Sequence, residues 1–285
     1  MTSGNDAIGD LIEFVRSTGL ELREVIRAAQ FAMPARVIFL LYLVNGSSVK
    51  LLVLAGGFGT RLQSVVGDVP KALAPIGDLP FLKLQIEQWI SEGIDSFVFL
   101  LHHQADQVVS FLESHSSDLL KNCDVNWSIE PEPLQSGGAV ALSVRKFALA
   151  GELLVVNADT WLGGGIRAVT SAGAPSIAVV RVPSAGRYGT VEFDGNSKVT
   201  RFLEKSQDQS GGWIYAGLCC IHAELFEAWD GLPFSLERQL FPGLIERNLL
   251  KAVPLRSDFI DIGIPSDYYR FCEWNRLDRK GDLCS

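Results

Sequence analysis

The stretch from Leu51 to Lys71 constrains the fold of this chain more than any other. Four apolar residues, Leu51-Leu52-Val53-Leu54, run into Gly56, Gly57 and Gly59, and two cations follow at Arg61 and Lys71. A short, continuously apolar run reads as a strand buried on both faces. Glycines at its end let backbone N–H groups come close to a bulky anion, and the cations offer that anion charge. This predicts a phosphate cradle at the carboxyl end of a parallel strand, where open α/β sheets bind ligands. A tight strand-to-helix turn would use the same glycines, so the cluster alone leaves both readings open.

Two familiar phosphate loops are excluded. A Walker loop needs G-x-x-x-x-G-K-[ST], and counting on from Gly56 or Gly57 reaches Arg61-Leu62 or Leu62-Gln63, with no Gly-Lys. A dinucleotide fingerprint needs G-x-G-x-x-G. Gly57 and Gly59 supply its first half, but position 62 is leucine.

The rest of the chain alternates strand and helix patterns. Phe81 to Ile90 carries Leu82, Ile86 and Trp89 on one helical face, and Phe97 to Leu101 is an apolar strand. A helix is expected over 105–112 and a strand over 125–129. Pro131-Glu132-Pro133 is a break, and Gly137-Gly138 opens another helix. Leu153 to Val156 is again a buried strand. This alternation implies a Rossmann-like, three-layer α/β/α architecture around a mixed, mainly parallel sheet. Further strands are expected over 177–182 and 213–221, and a hairpin over 189–203 with Asp194-Gly195 in its turn. Helices are expected over 223–229 and 236–247, a strand end at Phe259-Ile260-Asp261, and a last helix with Ser266 as N-cap.

Residues 1–48 stand apart from this pattern. They read either as a helical docking segment or as the product of a start placed too early, and both readings remain open. Residues 49–275 form the expected domain and 276–285 a C-terminal tail.

The net charge of −8 does not favour nucleic acid or an anionic membrane as partner, so an anionic ligand must be held by local cations. The longest apolar stretch, Val37 to Val44, is far short of the roughly 20 residues a bilayer requires. The five cysteines lack C-x-x-C spacing, which argues against a disulfide framework and for reduced thiols in the cytoplasm. Cys219 and Cys220 lie in an apolar run and read as small buried hydrophobes.

Two acids sit where apolar strands stop. Asp159 follows Leu153 to Ala158, and Asp261 follows Phe259-Ile260. Either alone is equally well a turn residue. As a pair facing a triphosphate cradle they suit Mg²⁺, which is commonly shared between carboxylates and substrate phosphates. Glu204-Lys205 reads by itself as an exposed ion pair. His102 and His103 lack the further ligands zinc would need. The aromatics Tyr268, Tyr269, Phe271 and Trp274 recur at helical spacing, as packing residues do.

Several motifs then occur together in order. Leu54-Ala55-Gly56-Gly57-Phe58-Gly59-Thr60-Arg61-Leu62 is followed by Pro70-Lys71-Ala72-Leu73-Ala74-Pro75-Ile76. Next come Glu132-Pro133-Leu134 with Ser136-Gly137-Gly138-Ala139, Asn157-Ala158-Asp159-Thr160 and Tyr188-Gly189-Thr190-Val191. Phe202-Leu203-Glu204-Lys205 and Phe259-Ile260-Asp261-Ile262-Gly263 complete the series. Over 49–275 this set resembles the sugar-1-phosphate nucleotidyltransferases, nearest to the D-glycero-D-manno-heptose 1-phosphate guanylyltransferases and then the mannose-1-phosphate guanylyltransferases.

The resemblance implies transfer of a nucleotidyl group, GMP from GTP in the nearest relatives, to a heptose or mannose 1-phosphate. Pyrophosphate is released and an NDP-sugar forms for glycan biosynthesis. It implies that Leu54, Ala55, Gly56, Gly57, Gly59 and Thr60 hold the nucleotide, with Gly137 and Gly138 against the base or ribose. Arg61 would meet the leaving β,γ-phosphates, Lys71 the α-phosphate region and Lys205 the sugar phosphate. Gly189, Glu204 and Gly217 would face the sugar, and Asp159 and Asp261 would carry Mg²⁺. A uridylyl- or thymidylyltransferase of the same family, or a silent nucleotide-sugar-binding relative, stays open. So does the choice between monomer and homo-oligomer. Three departures stand out: Ala158 in place of glycine, Tyr215 in place of asparagine, and residues 1–48, which have no counterpart in the short family members.

Overall fold

A computed structural model describes residues 49–203 and 211–281, with side chains to residue 277. The reading of 1–48, and Glu204 and Lys205, lie outside the described residues. In chain order the elements are β1 (Lys50–Leu54), α1 (Gln63–Val66), β2 (Pro75–Ile76), β3 (Leu79–Pro80), α2 (Phe81–Ser91), β4 (Ser96–Leu101), α3 (Ala105–Ser114) and β5 (Asp124–Ile129). They continue with α4 (Gln135–Phe147), β6 (Glu152–Asn157), β7 (Thr160–Leu162), α5 (Ile166–Ala172), β8 (Ser176–Val182), β9 (Thr190–Phe193), β10 (Val199–Leu203) and β11 (Gly212–His222). The last are α6 (Phe241–Glu246), β12 (Lys251–Leu255), β13 (Phe259–Asp261) and α7 (Pro265–Gly281).

Strands β5, β4, β1 and β6 are parallel neighbours in that order. Antiparallel β11 joins β6 and carries the β8–β12 pair and the β9–β10 hairpin beyond it. This is the mixed, mainly parallel sheet expected. Its central strands β1, β4 and β6 are apolar on both faces because both faces are covered. Leu51, Val53, Phe97 and Phe99 point into one core with Leu82, Ile86, Val108 and Val169 of the helices. The alternate residues Leu52, Val98 and Leu100 point into the other, with Val140, Val144, Phe241 and Leu244. The period-two alternation of a strand therefore places one helical layer on each face. Cys219 and Cys220 are fully buried, as expected, and burial pushes the Cys220 thiol up to about 12.

A third, smaller core fastens α7 under the glycine loop. Phe271, Tyr268 and Trp274 pack with Leu62, Ile76, Phe81 and Trp161, and the Tyr268 hydroxyl donates to the Pro75 carbonyl. Tyr269, grouped with these as a packing residue, is 58% exposed.

Some local expectations are corrected. Residues 223–229 form only a single 3₁₀ turn, Ala223–Phe226. The helix expected over 236–247 begins as a π turn, Leu236–Leu240, and becomes α-helical at Phe241. Ser266 is not the N-cap of the last helix. That helix starts at Pro265, whose missing N–H is no loss in the first turn. The β9–β10 turn is longer than an Asp-Gly hairpin. The Asp194 carboxylate accepts N–H bonds from Asn196 and Lys198, and the left-handed residue is Ser197, not Gly195.

Candidate active site

The glycine loop leaves the carboxyl end of β1, where the Ala55 N–H still reaches Leu100 O at 2.9 Å. The three glycines then have different surroundings. A side chain at Gly56 would begin 3.0 Å from the His102 nitrogen and 3.1 Å from Glu130 Oε1. Gly57 faces open space. Gly59 has φ +61°, which strains any residue with a Cβ, and passes close to Lys71. Thr60 and Arg61 are exposed beyond it. Among the described residues the Arg61 guanidinium has no ion-pair partner.

Lys71 returns under this loop and meets both acids. Its Nζ is 2.5 Å from Asp159 Oδ2 and 3.6 Å from Asp261 Oδ1. Two carboxylates distant in the chain thus share one ammonium. The cause is the pairing of β7 with β13, which sets Asp261 opposite Thr160, while Ile262 N–H donates to Asp159 O at 3.0 Å. Burial alone would raise the Asp159 pKa; the charge and hydrogen bond of Lys71 outweigh it and hold this carboxyl below its usual range.

Other residues hold the cluster in place. Gln85, buried in α2, donates from Nε2 to Thr160 O at 2.9 Å and so braces the turn that carries Asp159. The Gly263 N–H donates to Asp261 Oδ1 at 2.7 Å. Arg187 Nη2 lies 3.7 Å from Asp261 Oδ2, and its Nη1 pairs with Asp267 in the first turn of α7. Sequence reasoning did not single out these three. A glutamine within a helix and an arginine within a loop carry no local signal of what they reach. Gly263 stood inside a quoted motif without a role.

The cleft beside this cluster has a volume of about 360 Å³. Leu54 to Phe58 form one wall, and Lys71, Asn157 and Asp159 line the cationic and acidic end. Glu130, His102, Pro133, Gln135 and Ser136 line the other. Burial pushes the Glu130 carboxyl up, against a downward pull from the Leu134 N–H and from His102.

Gly137 and Gly138 face elsewhere. Both N–H groups go to Phe234 O, and a Gly137 side chain would begin 2.3 Å from the Phe234 ring. Their lack of side chains makes room for Phe234 and Leu134, while the neighbouring Gln135, Ser136 and Ala139 line the cleft. Overpacking of this kind costs about 1–3 kcal/mol. Gly137→Ala is therefore expected to lower unfolding free energy by about that amount in urea titration. A midpoint equal to the parent's would show that Phe234 yields freely.

On the expected sugar side, Gly189 makes room for the Phe202 ring, and Gly217, at φ +75°, makes room for the Asn157 side chain. Tyr215 points into the core formed with Phe202 and Phe241, where burial raises its pKa well above normal.

No group of three or more His, Cys, Asp or Glu side chains converges among the described residues. Two oxygen-donor side chains already bracketing a common cation fit Mg²⁺, which takes one or two carboxylates and completes its shell with water and phosphate oxygens.

Comparison with known proteins matches residues 50–271 to the family model described as nucleotidyl transferase. The D-glycero-alpha-D-manno-heptose 1-phosphate guanylyltransferase of Campylobacter jejuni is 31% identical over 228 residues, which cover 78% of this chain and 98% of that protein. The mannose-1-phosphate guanylyltransferase 1 of Arabidopsis thaliana is 30% identical over 77% of this chain. The chain spans only 62% of that relative, and the same share of the Oryza, Drosophila and Debaryomyces proteins it matches. Among solved structures, HddC from Yersinia pseudotuberculosis superposes with TM-score 0.70 at 32% identity, covering 79% of this chain and 98% of HddC. A second HddC structure, complexed with GMP-PN, superposes with TM-score 0.68.

Proposed function

Because the chain belongs to the nucleotidyl transferase family, we propose that it transfers GMP from GTP to a sugar 1-phosphate of the mannose or manno-heptose type. The observation that carries this reading is the single Lys71 ammonium held between Asp159 and Asp261 at the foot of the glycine loop. The base and sugar follow from the relatives, which are named as guanylyltransferases for those two sugar phosphates.

The chemistry asked of the site is in-line displacement at the α-phosphorus. An oxygen of the sugar phosphate forms the new P–O bond, the bond to the β-phosphate oxygen breaks, and pyrophosphate leaves. The attacking oxygen is already an anion and needs no strong base. It needs alignment and relief from repulsion between two highly charged reactants. Lys71 would meet the α-phosphate, Arg61 the departing β,γ-phosphates, and Lys205 the sugar phosphate. Backbone of Gly56, Gly57 and Gly59, with Leu54, Ala55 and Thr60, would receive the nucleotide. Asp159 and Asp261 would hold Mg²⁺, which when bound supplies Lewis-acid charge to the phosphates. Gly189, Gly217 and Glu204 would border the sugar. No side chain forms a covalent intermediate. Residues 49–275 are the proposed catalytic unit.

No helix among the described residues is long and apolar enough to cross a membrane. The four described cysteines are free thiols, which supports a place in the cytoplasm, where thiols stay reduced.

Pyrophosphate release tests the proposal. GTP, ATP, UTP and dTTP are each paired with mannose 1-phosphate, manno-heptose 1-phosphate and glucose 1-phosphate. Release with GTP and a manno-configured phosphate is expected. Silence across all pairs would sink the enzymatic reading, and equal rates with UTP or dTTP would remove the guanylyl assignment.

A further inference from the structure

Gln85 lies on the buried face of α2, among Leu82, Ile86 and Trp89, and is 2% exposed. A buried amide is costly unless its donors and its acceptor are paired. Half of this one is accounted for. Its Nε2 donates to Thr160 O at 2.9 Å and lies 3.5 Å from Asn157 O, so one amide meets both ends of the turn that carries Asp159. Its Oε1 is buried and has no hydrogen-bond partner among the described residues. The same is true of Trp161 Nε1, an indole donor two residues past Asp159 in β7.

The two side chains line one cavity of about 10 Å³, bordered also by Thr160, Leu162 and Leu218. That is room for a single water and nothing larger. One of the two atoms accepts and the other donates, so a water serves both by donating to Gln85 Oε1 and accepting from the Trp161 indole. The Trp161 ring is held by Phe81 and by Phe271 and Trp274 of α7. Its backbone pairs with Ile260 of β13. A water at this place ties α2 to the strand pair that sets Asp261 beside Asp159.

Resting on the proposal that Asp159 and Asp261 hold a divalent cation, we infer that Gln85 is a positioning residue for Asp159, acting through its bond to Thr160 and through one ordered water shared with the Trp161 indole.

A crystal structure of the full chain is expected to show one water oxygen within about 3.2 Å of both Gln85 Oε1 and Trp161 Nε1. No density there overturns the inference. Gln85→Met keeps the length and apolar contacts of the side chain and removes its donor and acceptor together. Without nucleotide it is expected to bind Mn²⁺ roughly tenfold more weakly than the parent, the low end for losing a group that orients a metal ligand. Pyrophosphate release should fall by a similar factor in kcat, with KM for GTP nearly unchanged. Trp161→Phe removes only the indole N–H and should show the same change to a smaller degree, so it carries the test if Gln85→Met does not fold. A merely structural role would lower the thermal midpoint and leave Mn²⁺ affinity at the parent's value; that result in a folded variant overturns the inference. Asp159→Asn separates this from the reading it rests on. Mn²⁺ affinity that falls with Asp159→Asn but not with Gln85→Met removes the role of Gln85 and leaves the metal site standing. Affinity indifferent to Asp159→Asn removes the metal site and the inference with it.

Discussion

Lys71→Ala is expected to lower pyrophosphate release by about 10²–10³-fold, the range seen when one preorganised electrostatic donor is removed from a transition state. The same variant should bind Mn²⁺ more tightly than the parent when no nucleotide is present. Both outcomes come from one geometry. The ammonium lies 2.5 Å from Asp159 and 3.6 Å from Asp261, so it is a counter-charge shared by both carboxylates, with Arg187 a second one for Asp261. Without it, Asp159 loses its cation, Asp261 keeps only Arg187 at 3.7 Å, the largest pull against the burial of Asp159 is gone, and a divalent cation relieves the repulsion. Turnover then suffers because the charge meant for the α-phosphate is gone. Paramagnetic titration of Mn²⁺ gives the first quantity and pyrophosphate release the second. A variant that keeps turnover within a few-fold of the parent contradicts the assigned role. Lost turnover with unchanged metal binding means that the ammonium does not compete for the two aspartates.

Gly263→Ala is the second large effect, and it should separate activity from stability. The residue lies just past β13, and φ there is not left-handed, so the backbone accepts alanine. The new methyl, however, would begin 2.7 Å from both Lys71 Nζ and Asp261 Oδ1. Those atoms are side-chain ends and can swing away at little cost in folding energy. Each must leave the position from which it acts, and a displacement of about 1 Å can cost on the order of 10²-fold in rate. The expected result is a thermal midpoint close to the parent's with turnover reduced by roughly ten- to a hundredfold. A midpoint that collapses along with activity would assign Gly263 to packing. Normal turnover would show that the cluster tolerates rearrangement.

These two effects mark how far local pattern reached. The central strands were legible because a parallel strand covered on both faces must be apolar at every position, as Leu51 to Leu54, Phe97 to Leu101 and Leu153 to Val156 are. The amphipathic helices 81–91 and 105–114 were legible from their period. Elements without such a signature escaped. Strand β7 has three residues, α5 offers only Ile166 and Val169 as buried anchors, and β12 contains Pro254, which an edge strand tolerates but a pattern search reads as a break. Gly137 and Gly138 show a different limit. A glycine announces that something comes close; it does not say what, and here it is Phe234 for Gly137 and Leu134 for Gly138.

What the amino-acid order determined by itself was the central strands of the sheet, the position of the glycine loop at the end of its first buried strand, and the stock of cations and carboxylates available to it. Local periodicity and side-chain chemistry suffice for that. Tertiary structure alone decided that Asp159 and Asp261 share Lys71, that Gln85, Arg187 and Gly263 hold them, and that Glu130 faces the far end of the same cleft. Those relations depend on the register between β7 and β13 and on helices packed across the sheet. Both are settled by long-range hydrogen bonding and packing, which leave no trace in any short window of sequence.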